Sequence, residues 1–494
     1  MSSNLAEPDT TSAAADPRRW IALIVIATST LMVVLDASIM NIALPHAQSA
    51  LSIADADRHW VITAYTLAFG GLLLLGGRVA DLLGRKRMFI IGLLGFAVAS
   101  ALGGVAMNAP VLFGARALQG VFAAIVTPAA LSLISVTFVE TRERAKAFAV
   151  YGAVAGGGGA VGLLLGGFLT EYANWRWCLF VNIPIAIVAA AFAATTVRED
   201  HADGPRRFDI PGAILVTVGL VALVYSFTEA GKDDVGWLAA RTLIPLAFGI
   251  VLLIAFVLVE ARTTHPLLPL RVVTDRNRGA AYLAAFLLGA GMFGMLLFIT
   301  YYLQVNLGYE PLMAGLAFLP FSVGIVSTAS LASSLLPRFG PKPLMTFGMA
   351  TATVGLAWMI TLDSSSTYLG SVLPSELMMG IGLGLVFVPM STVALSRIEP
   401  HDAGVASAVL NTSQQIGGTL GVALLNTLYA AALSRHVTAS ADVTHEQALL
   451  DGTFAGYTVA FTVGAALFAG ALVVIIAMLH SEKAAILAPS RPVS

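Results

Sequence analysis

Stretches of about twenty apolar residues, broken by short charged turns, run the length of the chain. Each is long enough to cross a hydrocarbon layer as a helix. Their bounds are 20–45, 59–77, 87–107, 110–137, 147–170, 177–197, 211–229, 242–260, 279–305, 312–335, 343–362, 371–396, 404–432 and 456–480. The pattern predicts an all-α integral membrane protein with 14 transmembrane helices and both termini on one side. The widest gaps, 198–210, 261–278 and 433–455, leave no room for a long hydrophilic domain.

The basic residues decide which side the termini take. With the N-terminus inside, 21 of the 27 Lys and Arg fall in inner segments, and one, Arg116, falls within a span. Only Arg58, Arg176, Lys232, Arg241 and Arg435 fall outside. Such a bias is the positive-inside signature, and one missed span would invert every loop beyond it. Composition agrees: 57% of residues are hydrophobic, 11% are charged and the mean hydropathy is +0.85. A soluble domain averages about 25% charged residues, so this chain could not cover a water-facing exterior. The single cysteine, Cys178, excludes an intramolecular disulfide and a multi-thiolate metal site. The first 17 residues are polar and lead into an apolar run too long for a signal h-region, so no cleavable signal peptide is expected. No G-x-x-x-x-G-K-[ST] loop occurs, which excludes an ATP-driven pump in one chain. No cofactor, metal or nucleic-acid partner is expected. Energy comes from an ion gradient, or transport is passive.

The chain repeats itself weakly at an offset near 256–260. Gly84-Arg85-Lys86 matches Gly340-Pro341-Lys342, and Arg116 before Gly120 matches Glu376 before Gly380. Pro128 matches Pro389, and Gly157-Gly158 match Gly417-Gly418. Six helices occupy roughly 180 residues here, so spans seven and eight fill the excess. The predicted organisation is a tail at 1–19, a six-helix bundle at 20–197 and two extra helices with their loops at 198–278. A second, pseudo-symmetric six-helix bundle follows at 279–480, then a tail at 481–494.

Several segments carry chemistry. The stretch from Gly77 to Arg87 contains Gly77, Asp81, Gly84, Arg85 and Lys86 between two spans. Leu35-Asp36-Ala37-Ser38-Ile39-Met40-Asn41 lies inside the first span, and Arg116-Ala117-Leu118-Gln119-Gly120 inside the fourth. Gly158, Gly162, Gly166 and Gly167 stud the fifth, followed by Trp175-Arg176-Trp177 and Asn182-Ile183-Pro184. Together these resemble the major facilitator superfamily, in its fourteen-helix drug:proton antiporter branch, over essentially the whole chain. Leu163 stands where the antiporter motif usually has proline, and Leu82 where the hallmark loop often has arginine. The resemblance implies alternating access between the two bundles, a gate at 77–87, and a role for the fifth-helix glycines in preventing proton leak.

Asp36 is the most informative side chain, because a carboxylate within an apolar span is costly unless paired or protonated. At ~1.5 Å per residue it lies ~24 Å from the inner surface, and Arg116 lies ~9 Å from the outer one. The depths match, and in the resembling fold helices one and four line the central cavity. A proton site at Asp36, with Arg116 relaying its charge state, is the functional reading; a static pair that fixes packing is the alternative. Glu376 sits at the equivalent depth in the second half, where it binds a cationic group, carries a second proton or reaches outer water. Asn41, Gln119, Gln304, Asn411, Gln414 and Gln415 are candidates for a substrate cavity, because amides are unwelcome against lipid. For Asn41 a helix–helix hydrogen bond is the stronger reading. Aromatics including Phe293, Phe298, Tyr301 and Tyr302 could line an apolar pocket. Glu171, Glu229, His46, His59 and His436 read as groups at outer helix ends.

The expected protein is a proton-coupled exporter of amphiphilic or aromatic drugs or antibiotics, not an enzyme. Its partners are a small-molecule substrate, protons and the bilayer. It is expected as a monomer in the plasma membrane, with both termini cytoplasmic. Five lysines against 22 arginines hint at a GC-rich bacterial genome. The rival readings are an uptake symporter for a small nutrient, a lipid or glycolipid translocase, and a transport-dead sensor.

Overall fold

The computed structural model describes residues 18–138, 140–197, 209–230, 232, 235–263, 266–268, 270–396, 398, 403–439 and 444–480. Among the inner bases, Arg198, Arg206, Arg207, Arg397, Lys483 and Arg491 lie outside the described residues, as does most of each tail. The first half comprises α1 (Arg18–Leu51), α2 (Trp60–Leu83), α3 (Arg85–Gly104), α4 (Ala109–Thr137), α5 (Thr141–Tyr172), the short α6 (Trp177–Phe180) and α7 (Asn182–Thr196). Two helices follow, α8 (Ile210–Ala230) and α9 (Ala240–Glu260), then the short α10 (Leu270–Val273). The second half comprises α11 (Arg276–Tyr301), α12 (Pro311–Ala317), α13 (Leu319–Phe339), α14 (Pro341–Trp358), α15 (Leu373–Ala394), α16 (Ala403–Ala439) and α17 (His445–Met478). Among the described residues, 13 helical segments are long and apolar enough to cross a membrane, and α2 adds an apolar stretch at Trp60–Leu73.

Helices are forced on such a chain because lipid offers no partner for backbone N–H and C=O. Within each half the helices close on themselves. In the first, α1 packs on α5 and α7, and α4 on α2 and α3; in the second, α11 packs on α16 and α17, and α15 on α13 and α14. The expected charged turn at 77–87 is mostly helix. Gly84 alone separates α2 from α3, at φ +103°, and Gly340 alone separates α13 from α14, at φ +77°. Glycine is needed at both, since an L side chain is strained there. The lysines that follow act alike. Lys86 Nζ donates to Ala194 O at 2.7 Å and Lys342 Nζ to Ile476 O at 2.8 Å, each meeting the carbonyl end of the last helix in its own half. Gly120 abuts α2 at Tyr65, and Gly380 abuts α13 at Phe321 in the same way.

The two halves meet at the end carrying the α1–α2 connection, the outer end on the charge reading. Gln304 Nε2 donates to Ile42 O at 2.9 Å, Leu312 N donates to Glu171 Oε2 at 3.0 Å, and the Tyr301 hydroxyl donates to Gln48. Helices α5 and α12 approach so closely that a Cβ on Gly167 would sit 2.7 Å from Leu312 Cα. Deeper, Thr419 Oγ1 donates to Thr66 Oγ1 at 2.7 Å. The end carrying the α1–α2 connection is therefore closed. Helix α8 touches α2 and α16, and α9 packs on α8.

His59, expected at an interface, is fully buried. Its ring is placed by the α1–α2 connection against α8 and α16. Asn426 has its Oδ1 occupied by Arg58 Nε at 3.0 Å, so its Nδ2 donates to His59 Nδ1 at 3.4 Å. Nε2 then carries the proton toward Thr228 Oγ1 at 3.1 Å, while that hydroxyl donates to Val224 O. Glu229, also read as solvated, is buried because Lys232 one turn on pairs with it at 2.5 Å.

One outcome follows for the detergent-purified protein. Gly84→Ala should lower the thermal unfolding midpoint at a cost of about 1–3 kcal/mol, while Gly114→Ala, with nothing within 4 Å of its added Cβ, should not. Equal midpoints would contradict the positive φ at Gly84.

Candidate proton-coupling site

Asp36 lies midway along α1 with no solvent exposure. Three donors from two other helices converge on its carboxylate. Arg116 NH1 of α4 reaches Oδ2 at 2.5 Å, and Gln119 Nε2, one turn further along α4, reaches Oδ1 at 2.9 Å. Asn182 Nδ2, in the first turn of α7, reaches the same Oδ1 at 2.8 Å. The spacing of Arg116 and Gln119 puts both on one helix face, as the sequence suggested.

Arg116 is held from its other side. Its Nε donates to Val61 O at 2.9 Å, its NH1 also donates to Gln119 Oε1 at 2.9 Å, and its guanidinium carbon lies 4.6 Å from the Tyr65 ring centroid. Gln119 Nε2 additionally donates to Ser100 Oγ of α3 at 2.8 Å. Helices α1, α2, α3, α4 and α7 thus meet in one polar knot, with Asn182 Oδ1 and the Tyr65 hydroxyl left without partners.

This geometry departs from the expected open cavity wall. Asp36 and Arg116 do lie together between helices one and four, but the knot is sealed inside the first half. Gln119 belongs to it, not to a cavity. Ser100 is not singled out by sequence reasoning, and Asn182 enters there only as part of a motif, without a role at this site. The available signal was an amide opening an apolar helix directly after Trp175-Arg176-Trp177.

The remaining candidates scatter. Glu376, in the first turn of α15, is fully buried, and neither carboxylate oxygen has a partner. Nothing offsets its desolvation. Asn41 Nδ2 turns back to Ala37 O at 3.1 Å within α1. Gln304 bridges the halves through Ile42 and leaves its Oε1 unpartnered. Asn411 is exposed on α16 and donates to Ser407 O at 3.0 Å, while Gln414 and Gln415 are half-buried on the same helix. Gly158, Gly162 and Gly166 all seat α5 on α1, against Val34, Leu35, Ser38 and Ile39, and Gly167 turns instead to α12. Gly77 faces Pro128 of α4. The Asp81 side chain lies outside the described residues.

Repeated helical halves built from apolar spans, joined at one end and holding a buried carboxylate–guanidinium knot, define a multi-pass membrane protein. The family model described as Major Facilitator Superfamily matches residues 26–422, and the chain belongs to that family. It is 48% identical over 491 residues to the puromycin resistance protein pur8 of Streptomyces alboniger, covering 97% of this chain and 96% of that one. It is 39% identical to the cephamycin export protein CmcT of Amycolatopsis lactamdurans, covering 82% and 84%. Among solved structures, a bacterial homolog of the human lysosomal transporter Spinster, inward-facing and unoccupied, superposes with a TM-score of 0.65 at 16% identity, covering 94% and 99%. That likeness is one of fold.

Removing one partner of a buried pair strands the other, so Arg116→Leu should destabilise the protein by about 3–5 kcal/mol. Asp36→Leu combined with Arg116→Leu should lose less than Arg116→Leu alone. Thermal unfolding of the variants measures both, and additive losses would mean that the two side chains do not depend on each other.

Proposed function

We propose that the chain is a proton-coupled exporter of amphiphilic or aromatic drugs or antibiotics, acting by alternating access in the cytoplasmic membrane of a bacterium. One observation carries this reading: Asp36 is sealed with Arg116 where charge is expensive, and the pair joins helices that must move. Protonation of Asp36 from outside frees Arg116 and loosens α1 from α4 and α7. Deprotonation toward the inside restores the knot. Breaking a buried pair costs about 3–5 kcal/mol, and one charge moved through the membrane potential supplies roughly 2.3 kcal/mol per 100 mV. The two are of one order, as a coupling site requires.

The substrate class draws support from the relatives, a puromycin resistance protein and a cephamycin export protein. The closed outer end is the arrangement an inward-facing carrier needs to take its cargo from the cytoplasm. In this scheme the bundles are residues 20–197 and 279–480, both termini are cytoplasmic, and the protein works as a monomer. The segment at 77–87 gates the inner side. The fifth-helix glycines keep α5 pressed to α1, so protons do not leak past. Glu376 serves as a second proton site or meets a cationic group of the substrate, and the amides of α16 line the path.

Inverted vesicles carrying the protein should accumulate a fluorescent amphiphilic drug when a pH gradient is applied and lose it when an uncoupler is added. Asp36→Asn should abolish the gradient-driven component, a drop of at least tenfold in rate. Gradient-driven accumulation that survives in Asp36→Asn would remove the proposed proton site.

A further inference from the structure

Arg58 stands apart from the coupling knot. It comes from the α1–α2 connection of the first half, yet its side chain is only 3% exposed. The groups around it come largely from the second half. Its guanidinium carbon lies 4.1 Å from the Tyr301 ring centroid, 4.8 Å from Tyr429 and 5.9 Å from Phe298. Nε donates to Asn426 Oδ1 at 3.0 Å, Asp55 lies 3.7 Å from NH1, and NH2 has no hydrogen-bond partner. Aromatic faces, more than acceptors, therefore hold this cation.

The rings form a cup of their own. Phe298 and Tyr301 belong to α11, Tyr429 and Asn426 to α16, and Tyr457 to α17. Centroids lie 5.2 Å apart for Phe298 and Tyr429, 5.4 Å for Tyr429 and Tyr457, and 6.3 Å for Phe298 and Tyr457. The Tyr457 hydroxyl donates to Asn306 Oδ1 at 2.8 Å, which anchors the back wall. Phe298, Tyr429 and Tyr457 pack directly on one another, while the Tyr301 hydroxyl is held by Gln48 of the first half. When the halves part at the outer end, Arg58 leaves with the first half. An electron-rich cup with one amide oxygen then faces the outer water.

We propose that this cup is an outer subsite for organic cations, quaternary or protonated amines, and that Arg58 is the built-in competitor that evicts them as the outer end closes. The inference rests on the alternating-access reading, and it adds a direction to it. A cation held in the cup and Arg58 cannot occupy the same rings, so closure follows release, and re-entry by the same route is blocked.

The test uses choline and its uncharged carbon isostere 3,3-dimethylbutan-1-ol, titrated calorimetrically into the purified full chain. Arg58→Gln vacates the cup and should bind choline at least tenfold more tightly than wild type, with no gain for the isostere. Arg58→Lys keeps a cation in place and should show no gain, and adding Tyr429→Leu to Arg58→Gln should erase it. Equal choline affinity in wild type and Arg58→Gln, or an equal gain for the isostere, would overturn the proposal. A second measurement leaves Arg58 intact. In a Cys178→Ser background, spin labels at Ser52→Cys and Thr438→Cys span the outer end, and saturating choline should widen their distance distribution. An unmoved distribution would also overturn it. Neither readout needs a proton gradient, so loss of the cation subsite and loss of proton-coupled export are distinguishable results.

Discussion

A carboxylate inside an apolar bundle is tolerable only where enough donors converge on it, and that requirement organises the first half of this protein. Asp36 has both oxygens occupied only because α4 brings Arg116 and Gln119 to one face and α7 begins with Asn182. Arg116 in turn needs the Val61 carbonyl and the Tyr65 ring, which fixes α2. In lipid there is little hydrophobic force to press helices together, so polar knots and small residues must do it. The glycines that bring α5 against α1 are the second device, and they lie next to the first: Gly162 and Gly166 sit on Leu35, Ser38 and Ile39, on either side of Asp36 along α1.

The second half repeats the scaffold and not the charge. Gly340 breaks the chain as Gly84 does, and Lys342 meets the end of α17 as Lys86 meets the end of α7. Gly380 presses α15 on α13 as Gly120 presses α4 on α2. Where the first half has Arg116 with its partners, the second has Glu376 with none. A repeated frame thus holds unlike polar contents in its two halves.

Most of the frame was legible in the sequence. Apolar run length gave the helices because the bilayer leaves no other option, and the repeat was visible through glycines whose role is steric and local. Asp36 and Arg116 were found together because matched depth along two helices is simple arithmetic. Other features depend on side-chain direction, which periodicity does not carry. Gln119 read as a cavity amide but points into the knot, and Asn182 passed as part of a motif. His59 looked interfacial because it opens a span, yet the α1–α2 connection folds inward and buries it beneath α16. The segment 77–87 differs for a related reason: its charges suggest a loop, while one glycine at positive φ suffices to reverse the chain.

The distribution of cations completes the picture. Arg116 and Arg58 are both buried arginines of the first half, and both lie against aromatic rings. Arg116 has a full carboxylate partner within its own half. Arg58 has only a distant carboxylate, at 3.7 Å, and otherwise leans on the Asn426 amide oxygen and on rings of the opposite half. The two buried arginines of the first half are therefore held by different chemistry, one by a carboxylate of its own half and the other chiefly by an amide oxygen and aromatic faces of the opposite half.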